Sequence, residues 1–237
     1  MFDKDIYEQK AMNNYHRKRL IRIVSSHFWS FLPKRQKIRA LLYKKILGLE
    51  NLPKVEYNVM IAGHHLTPKD FKRDTPSGIK VGKGCLFCNN INIDTTGEII
   101  IGNGVTIAED TLIYTHGHEV NSLLKTQGKA SVIPSQVIVD DDVHVGARVV
   151  ILSTCRHIGR GVRIGAGAVV RNNIPPYSLV VGNPGKVIGF VMTPEQTIEY
   201  EKGLYSEEKR MAIEELEKNY RKYYTDRIKD IAKLVKN

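Results

Sequence analysis

Residues 101–113 read IGNGVTIAEDTLI. Ile101, Ile107 and Ile113 recur at intervals of six, Gly102 and Ala108 follow the first two, and Val105 and Thr111 stand in the fourth places. The frame returns at Val139, Val145 and Ile151, with Val143 and Val149 in the fourth places. It returns again at Ile158, Ile164 and Val170, with Val162 and Ala168. A helix repeats about every 3.6 residues and a half-buried strand about every two, so a period of six belongs to neither. It marks internal repetition, which decides architecture ahead of local propensity.

Six residues make one short side of a prism-like coil. The aliphatic residue points inward and stacks on its equivalents above and below, and small residues such as Gly102, Gly146, Gly159 and Gly165 allow the corner. One coil cannot bury its own interior, but stacked coils share a continuous core. A β-sandwich with Val- and Ile-rich strands is the alternative, but its turns come about every 8–12 residues.

Outward from this stretch the frame has interruptions. Upstream, Val81, Phe87 and Ile93 keep the step, and Ile101 follows after eight, so Thr95-Thr96-Gly97 predicts a bulged corner. Downstream, the frame is lost for the 25 residues between Ile113 and Val139. This inserted loop, 114–138, reads as polar and irregular and carries the chain's only His-x-His, His116 and His118. An insertion from a rigid stack is a usual place for function. One residue too many between Ile151 and Ile158 predicts a bulge at residues 153–157. The consecutive Pro175 and Pro176 end the coils, and residues 51–78, with Pro53, Pro68 and Pro76, read as a lead-in loop.

Three units follow: a basic helical arm and lead-in loop (1–78), the coil domain (79–190), and charged C-terminal helices (191–237). In the last, Tyr220, Tyr223, Tyr224, Ile228, Ile231 and Leu234 lie near helical spacing. The arm reads as two helices broken near Pro33, the second over 35–47 with Ile38, Leu41, Leu42 and Ile46 on one face.

The net charge of +11 is localised. Gln9–Leu49 holds eleven cations and no Asp or Glu, while the rest of the chain holds 25 of each sign. The coil region is therefore not a general nucleic-acid binder, and no nucleic-acid motif accompanies the arm. The arm reads either as a cap on the coils or as a membrane-surface element, with Phe28, Trp29 and Phe31 at headgroup level. Three cysteines in 237 residues argue against a disulfide framework and for a reducing compartment. No apolar run reaches signal-peptide or membrane-span length. The expectation is a cytoplasmic protein, peripheral at the inner membrane face if the arm docks there.

The six-residue repeat, the THGH loop and the ending IPPYSLVVGNPGKVI together resemble the hexapeptide-repeat acyltransferases, in the maltose/galactoside O-acetyltransferase branch with related polysaccharide O-acetyltransferases. The resemblance runs from about Ile79 to Ile188. It implies a mainly β fold, a left-handed parallel β-helix, here with an N-terminal helical arm and a C-terminal helical extension. It also implies a homotrimer with active sites between subunits, acetyl-CoA as donor, a sugar or oligosaccharide acceptor and no metal.

Acyl transfer to a sugar hydroxyl needs a base that takes the proton as the oxygen attacks the thioester. Histidine suits this because its ordinary pKa lies near neutral pH. The two candidates are His118 and His116, and alignment with the family's aliphatic-x-Thr turn selects His118. By the same resemblance, Asn89 and Asp94 in FCNNINID contact the acceptor, although Asn and Asp also serve as corner residues. Gly146, Ala147, Ala166 and Gly167 would line the pantetheine groove, and Lys186 and Arg171 would meet the coenzyme phosphates. His144 stands where the family usually has an aromatic residue beside that groove.

Other chemistry stays open. His64, His65, His116, His118, His144 and His157 raise a zinc-dependent β-helix enzyme, although the spacing departs from that pattern. Cys85 and Cys88 form a lone C-x-x-C, and Cys155 is a conceivable thiol nucleophile. A serine acetyltransferase, an N-acetyltransferase of nucleotide-linked amino sugars and a non-catalytic scaffold are the remaining alternatives.

Overall fold

The computed structural model describes residues 4–26, 35–63, 77–118 and 132–225. Phe28, Trp29, Phe31, His64, His65, Ile228, Ile231 and Leu234 lie outside them.

Three parallel sheets form the faces of a prism. The first face stacks Lys54–Val55, Leu86–Phe87, Thr106–Ile107, His144–Val145, Arg163–Ile164 and Ser178–Val181. The second stacks Met60–Ala62, Asn92–Asp94, Leu112–Ile113, Val150–Ile151 and Val169–Val170. The third stacks Gly78–Val81, Glu98–Ile101, Val137–Val139 and His157–Ile158, continued by a bridge to Ile174. The chain visits the faces in the order first, second, third. The six-residue frame is therefore the register itself: Ile101 pairs Val139, Ile107 pairs Val145, and Ile113 pairs Ile151.

The core is the inward column of each face. Phe87, Ile93, Ile107, Val145, Ile151 and Ile164 are all buried. Each such side chain contributes about 1.5–3 kcal/mol when removed from water. No single rung could capture that alone, so the repeat is self-supporting only as a stack.

Two corners are regular. Between the first and second faces, Asn58, Asn90, Asp110, Arg148 and Gly167 all have positive φ. Between the third and first, Gly84, Gly104, Asp142, Gly161 and Tyr177 do the same. Asn and Asp tolerate this left-handed geometry better than other side-chain-bearing residues. They also form a ladder: Asn58 Nδ2 donates to Asn90 Oδ1 (2.9 Å), and Asn90 Nδ2 donates to Asp110 Oδ1 (3.0 Å). The third corner, from second face to third, is irregular on every rung, and all of the frame's interruptions fall there.

Several expectations are corrected by these contacts. The coils begin within the 51–78 stretch, at Lys54–Val55 and Met60–Ala62, which pair with the next rung. Pro53 and the length of chain between Ala62 and Gly78 hide this first rung from a six-residue frame. The Pro175-Pro176 turn does not end the stack either, because Ser178–Val181 adds one more parallel strand before Lys186–Phe190 folds back on it. Of the 114–138 insertion, residues 119–131 lie outside the described residues. Its ends, His116–His118 and Val132–Pro134, pair as an antiparallel ribbon.

Helix α1 (Lys4–Ser25) and helix α2 (Arg35–Leu47) pack on each other and on the first rung. The face of α2 differs from expectation: Ala40 and Tyr43 are buried, whereas Ile38 and Leu41 point outward. The choice is polar as well as apolar. The Tyr43 hydroxyl donates to the Val59 carbonyl, and Arg39 Nε donates to the Val24 carbonyl.

At the other end, helix α3 (Pro194–Lys202) starts with a capping box between Thr193 and Gln196. The fully buried Glu201 accepts from Arg160 Nη1 (2.8 Å), the Tyr177 hydroxyl (2.6 Å) and the Met211 amide (2.6 Å). This contact ties the C-terminal segment to two successive coils. Helix α4 (Ile213–Tyr220) follows, and Tyr220 packs on Phe190 with ring centroids 5.3 Å apart.

Candidate active site

The irregular corner gathers a dense cluster of hydrogen-bonded polar side chains. Asp94 ends the Asn92–Asp94 rung, and Thr115 and His116 follow the rung directly above it, Leu112–Ile113. Asp94 Oδ2 lies 2.6 Å from His116 Nδ1 and accepts the Thr115 amide at 2.9 Å. Asp94 Oδ1 accepts the Thr96 amide (3.0 Å) and the Thr96 hydroxyl (2.5 Å). The Thr115 hydroxyl lies 2.9 Å from Asp94 Oδ2 and accepts the Gly97 amide. Gly97 is obligatory here, because a Cβ on it would stand 2.0 Å from the Ser135 carbonyl oxygen. The bulged corner at residues 95–97 thus brings the backbone close enough to clamp the carboxylate.

Burial of Asp94 by itself would raise its pKa. The bonds from His116 and Thr96, the imidazole's charge and the Thr115 amide overcome this and lower it from 3.8 to about 2. The carboxylate is ionised at neutral pH and can only accept. His116 Nδ1 must then carry the proton and donate it, which leaves Nε2 as the other reactive position. The two side chains are 12% and 10% exposed, so the contact is shielded from water.

His118 is exposed, two residues further along the same short strand. Its ring meets that of His116 edge to face, with centroids 5.2 Å apart. The His-x-His spacing on a strand puts both rings on one side of the ribbon.

Three exposed cations follow along the same corner: Arg156, Arg171 and Lys186. Arg156 donates its amide to Asn173 Oδ1 (2.8 Å), and the Arg171 carbonyl accepts the Thr154 hydroxyl (2.7 Å). Lys186 lines a cavity of 390 Å³ with Asn172, Asn173, Ile174 and Tyr223. Gly185 bonds the Val169 carbonyl, so Lys186 stands about three rungs from His116. At about 4.8 Å per rung this is about 14 Å. Arg156 was missed by motif reasoning, yet the one-residue slip at 153–157 is its signal, because the extra residue lies in its corner.

The remaining candidates sit elsewhere. Asn89, Gly146, Ala147, Ala166 and Gly167 occupy the regular corner between the first and second faces. Within one chain they are not brought together with the histidines. Asn89 Oδ1 accepts the Tyr57 amide (3.3 Å), a corner contact. Gly146 is buried, and a Cβ on it would stand 2.6 Å from the Ile164 carbonyl oxygen, so packing alone requires glycine there. Ala147 is partly exposed, and Ala166 and Gly167 are exposed. Asp94, expected to face an acceptor, instead spends both its oxygens on Thr96, Thr115 and His116.

His144 and His157 are on the first and third faces, the latter 2.9 Å from Asp140. Among the described residues, no group of three or more His, Cys, Asp or Glu could hold a metal ion. Cys155 is buried, and burial pushes its thiol up to about 11, which disarms it as a nucleophile.

No protein-family model matches the chain. A serine acetyltransferase from Buchnera aphidicola subsp. Schizaphis graminum is 34% identical over 118 residues, 50% of this chain and 41% of that one. Other matches are putative acetyltransferases. The chain's relatives are acetyltransferases. Among solved structures, a maltose O-acetyltransferase from Clostridium difficile 630 is 27% identical, with a TM-score of 0.60 over 76% of this chain and 87% of that one. A hexapeptide-repeat acetyltransferase from Vibrio cholerae O1 biovar eltor, complexed with acetyl coenzyme A, shares the fold at 21% identity. Its TM-score is 0.60, over 76% of this chain and 88% of that one. The chain spans less than two thirds of the length of the first curated relatives it matches. Among the described residues, no helix is long and apolar enough to cross a membrane.

Proposed function

We propose that the protein transfers an acetyl group from acetyl-CoA to a hydroxyl of a sugar or polysaccharide precursor. One observation carries this reading: an ionised, clamped Asp94 holds His116, and the exposed His118 lies against it, at the head of a row of cations. His118 takes the hydroxyl proton as the acceptor oxygen attacks the thioester carbonyl. The carbon–sulfur bond then breaks, and the proton passes to the departing thiolate, giving an O-acetyl ester and free coenzyme A. The Asp94–His116 pair behind His118 fixes the ring against which His118 rests. No acyl-enzyme is required, since base, donor and acceptor meet in one complex.

The 2.6 Å contact also favours a second assignment, in which His116 is the base. A carboxylate on Nδ1 is the usual means of orienting a catalytic imidazole.

The donor runs along the irregular corner, thioester at the histidines and phosphates near Arg171 and Lys186. The 14 Å between these positions suits an extended pantetheine arm. Ala147, Ala166, Gly167 and Asn89 join this site only from a neighbouring chain, which supports a homotrimer of left-handed parallel β-helices with sites between subunits. The maltose O-acetyltransferase likeness supports a sugar hydroxyl as acceptor. The serine acetyltransferase match and an amino-sugar acceptor define the rivals.

The test is acetyl-CoA turnover against a panel of free sugars, oligosaccharides, nucleotide-linked amino sugars and serine. Turnover confined to hydroxyl sugars is the expected result. Turnover confined to amines or to serine rejects the acceptor class, and none with any acceptor rejects the enzyme reading.

A further inference from the structure

The acid-free stretch from Gln9 to Leu49 is not spread over the molecule. Its described residues lie mostly in helix α1, which also carries Asp5 and Glu8 ahead of the stretch, and in helix α2; the two helices pack on each other and on the first rung. Their inward faces are accounted for by Ile21, Val24, Ala40 and Tyr43, all buried. Their outward faces are not purely polar. On α1, Leu20 and Ile23 are 48% and 51% exposed; on α2, Ile38 and Leu41 are 39% and 55% exposed. Interspersed with them, Arg17, Arg19, Arg22, Lys37 and Lys45 are exposed. No described salt bridge involves any of these cations.

Aliphatic side chains that packing does not demand, set among unpaired cations, are what a helix needs to lie on an anionic lipid surface. The cations are drawn to the headgroups, and the aliphatic side chains enter the boundary with the acyl chains. A second copy of this chain fits less well. Outside the stretch the charges balance, so a copy offers no surplus of anions to set against eleven cations. Self-association through this face would also bring like charges together.

We propose that the α1–α2 pair docks the protein peripherally on an anionic lipid bilayer. The attraction is electrostatic at range and falls off within a Debye length, so it is reversible and salt-sensitive. The inference is separate from the acyl-transfer reading in what it measures, vesicle binding rather than turnover, although Arg17 of α1 and Leu47 of α2 line a small cavity with Thr95 at the irregular corner.

The experiment is co-sedimentation of the full chain with phosphatidylglycerol–phosphatidylcholine vesicles and with pure phosphatidylcholine vesicles, at low salt and at about 0.5 M salt. Binding to the anionic vesicles alone, lost at high salt, is expected. Arg19→Glu with Arg22→Glu, and separately Leu20→Ser with Leu41→Ser, should each weaken it by about tenfold or more. Both double variants change only exposed side chains, and unaltered circular dichroism confirms that they fold. The proposal is overturned if the full chain ignores anionic vesicles at low salt, or if both variants bind like the parent. It is equally overturned if the leucine pair changes the oligomeric state instead, or if RNA is bound more tightly than the vesicles under the same conditions.

Discussion

Asp94 and His116 are 22 residues apart in sequence and 2.6 Å apart in space, the first ending one rung of the second face and the second following the rung above it. Their contact converts a strand end and a loop start into one rigid unit, because both residues are anchored by the same Thr115. The following expectations come from it and from its surroundings.

Replacing the exposed imidazole tests the base directly. His118→Ala should lower kcat by about 10²–10⁴-fold with little change in the KM for acetyl-CoA. His116→Ala should cost less, about tenfold, because it removes support rather than the proton acceptor. Steady-state kinetics on both variants decide the order. A larger loss in His116→Ala transfers the role of base to His116.

The carboxylate should reveal itself in acid stability. Its pKa lies below the ordinary value in the folded protein, so its contribution is whole above about pH 4 and is lost as the pH falls toward 2. The Tm difference between the parent and Asp94→Asn should therefore hold steady above about pH 4 and close near about pH 2. A difference that persists unchanged at that pH would contradict the ionised clamp.

Charge, rather than shape, is the expected contribution of Lys186. Lys186→Ala should raise the KM for acetyl-CoA several-fold, by about 3–10-fold, while kcat changes little, and added salt should reproduce part of the effect on the parent. Arg156→Ala and Arg171→Ala should act in the same direction. Donor KM values that stay at the parental level in all three variants would remove the corner cations from the donor track.

Glu201 is a stability prediction. It is fully buried and accepts three hydrogen bonds, one from a guanidinium. Glu201→Ala leaves the Tyr177 hydroxyl without its acceptor and Arg160 with only the Lys209 carbonyl (3.0 Å) in place of a carboxylate, and breaking such a buried pair costs about 3–5 kcal/mol. Denaturant unfolding measures it. A loss within about 0.5 kcal/mol of the parent would mean that the C-terminal helices hold without this tie.

How much of this was legible in the sequence differs by element. The inward columns were, because Ile101, Ile107 and Ile113 obey a period that only stacked coils satisfy. The first rung was not: Val55 and Ile61 are spaced six apart, but Val81 comes twenty residues after Ile61, which breaks the step of six. The histidine pair was visible as the only His-x-His in the insertion. Its antiparallel ribbon was not, since Val132–Pro134 gives three residues too few for any period to show.

What the sequence by itself determined is the repeat, and through it the register of the inward side chains that follow the frame, because burial in a stack is a local and periodic demand. It also located the insertion and the basic arm, which are departures from that demand. Only the tertiary structure decided what Asp94 does. In the sequence it is one more acid after a strand, equally suited to a corner amide or to an acceptor. Stacking places the Thr115–His116 segment one rung above it, and a clamped carboxylate then fixes which nitrogen of His116 carries the proton. The outward turn of Ile38 and Leu41 was decided the same way. Helical periodicity allowed them a place in the core, and the hydrogen bonds of Tyr43 and Arg39 to the backbone chose the other face.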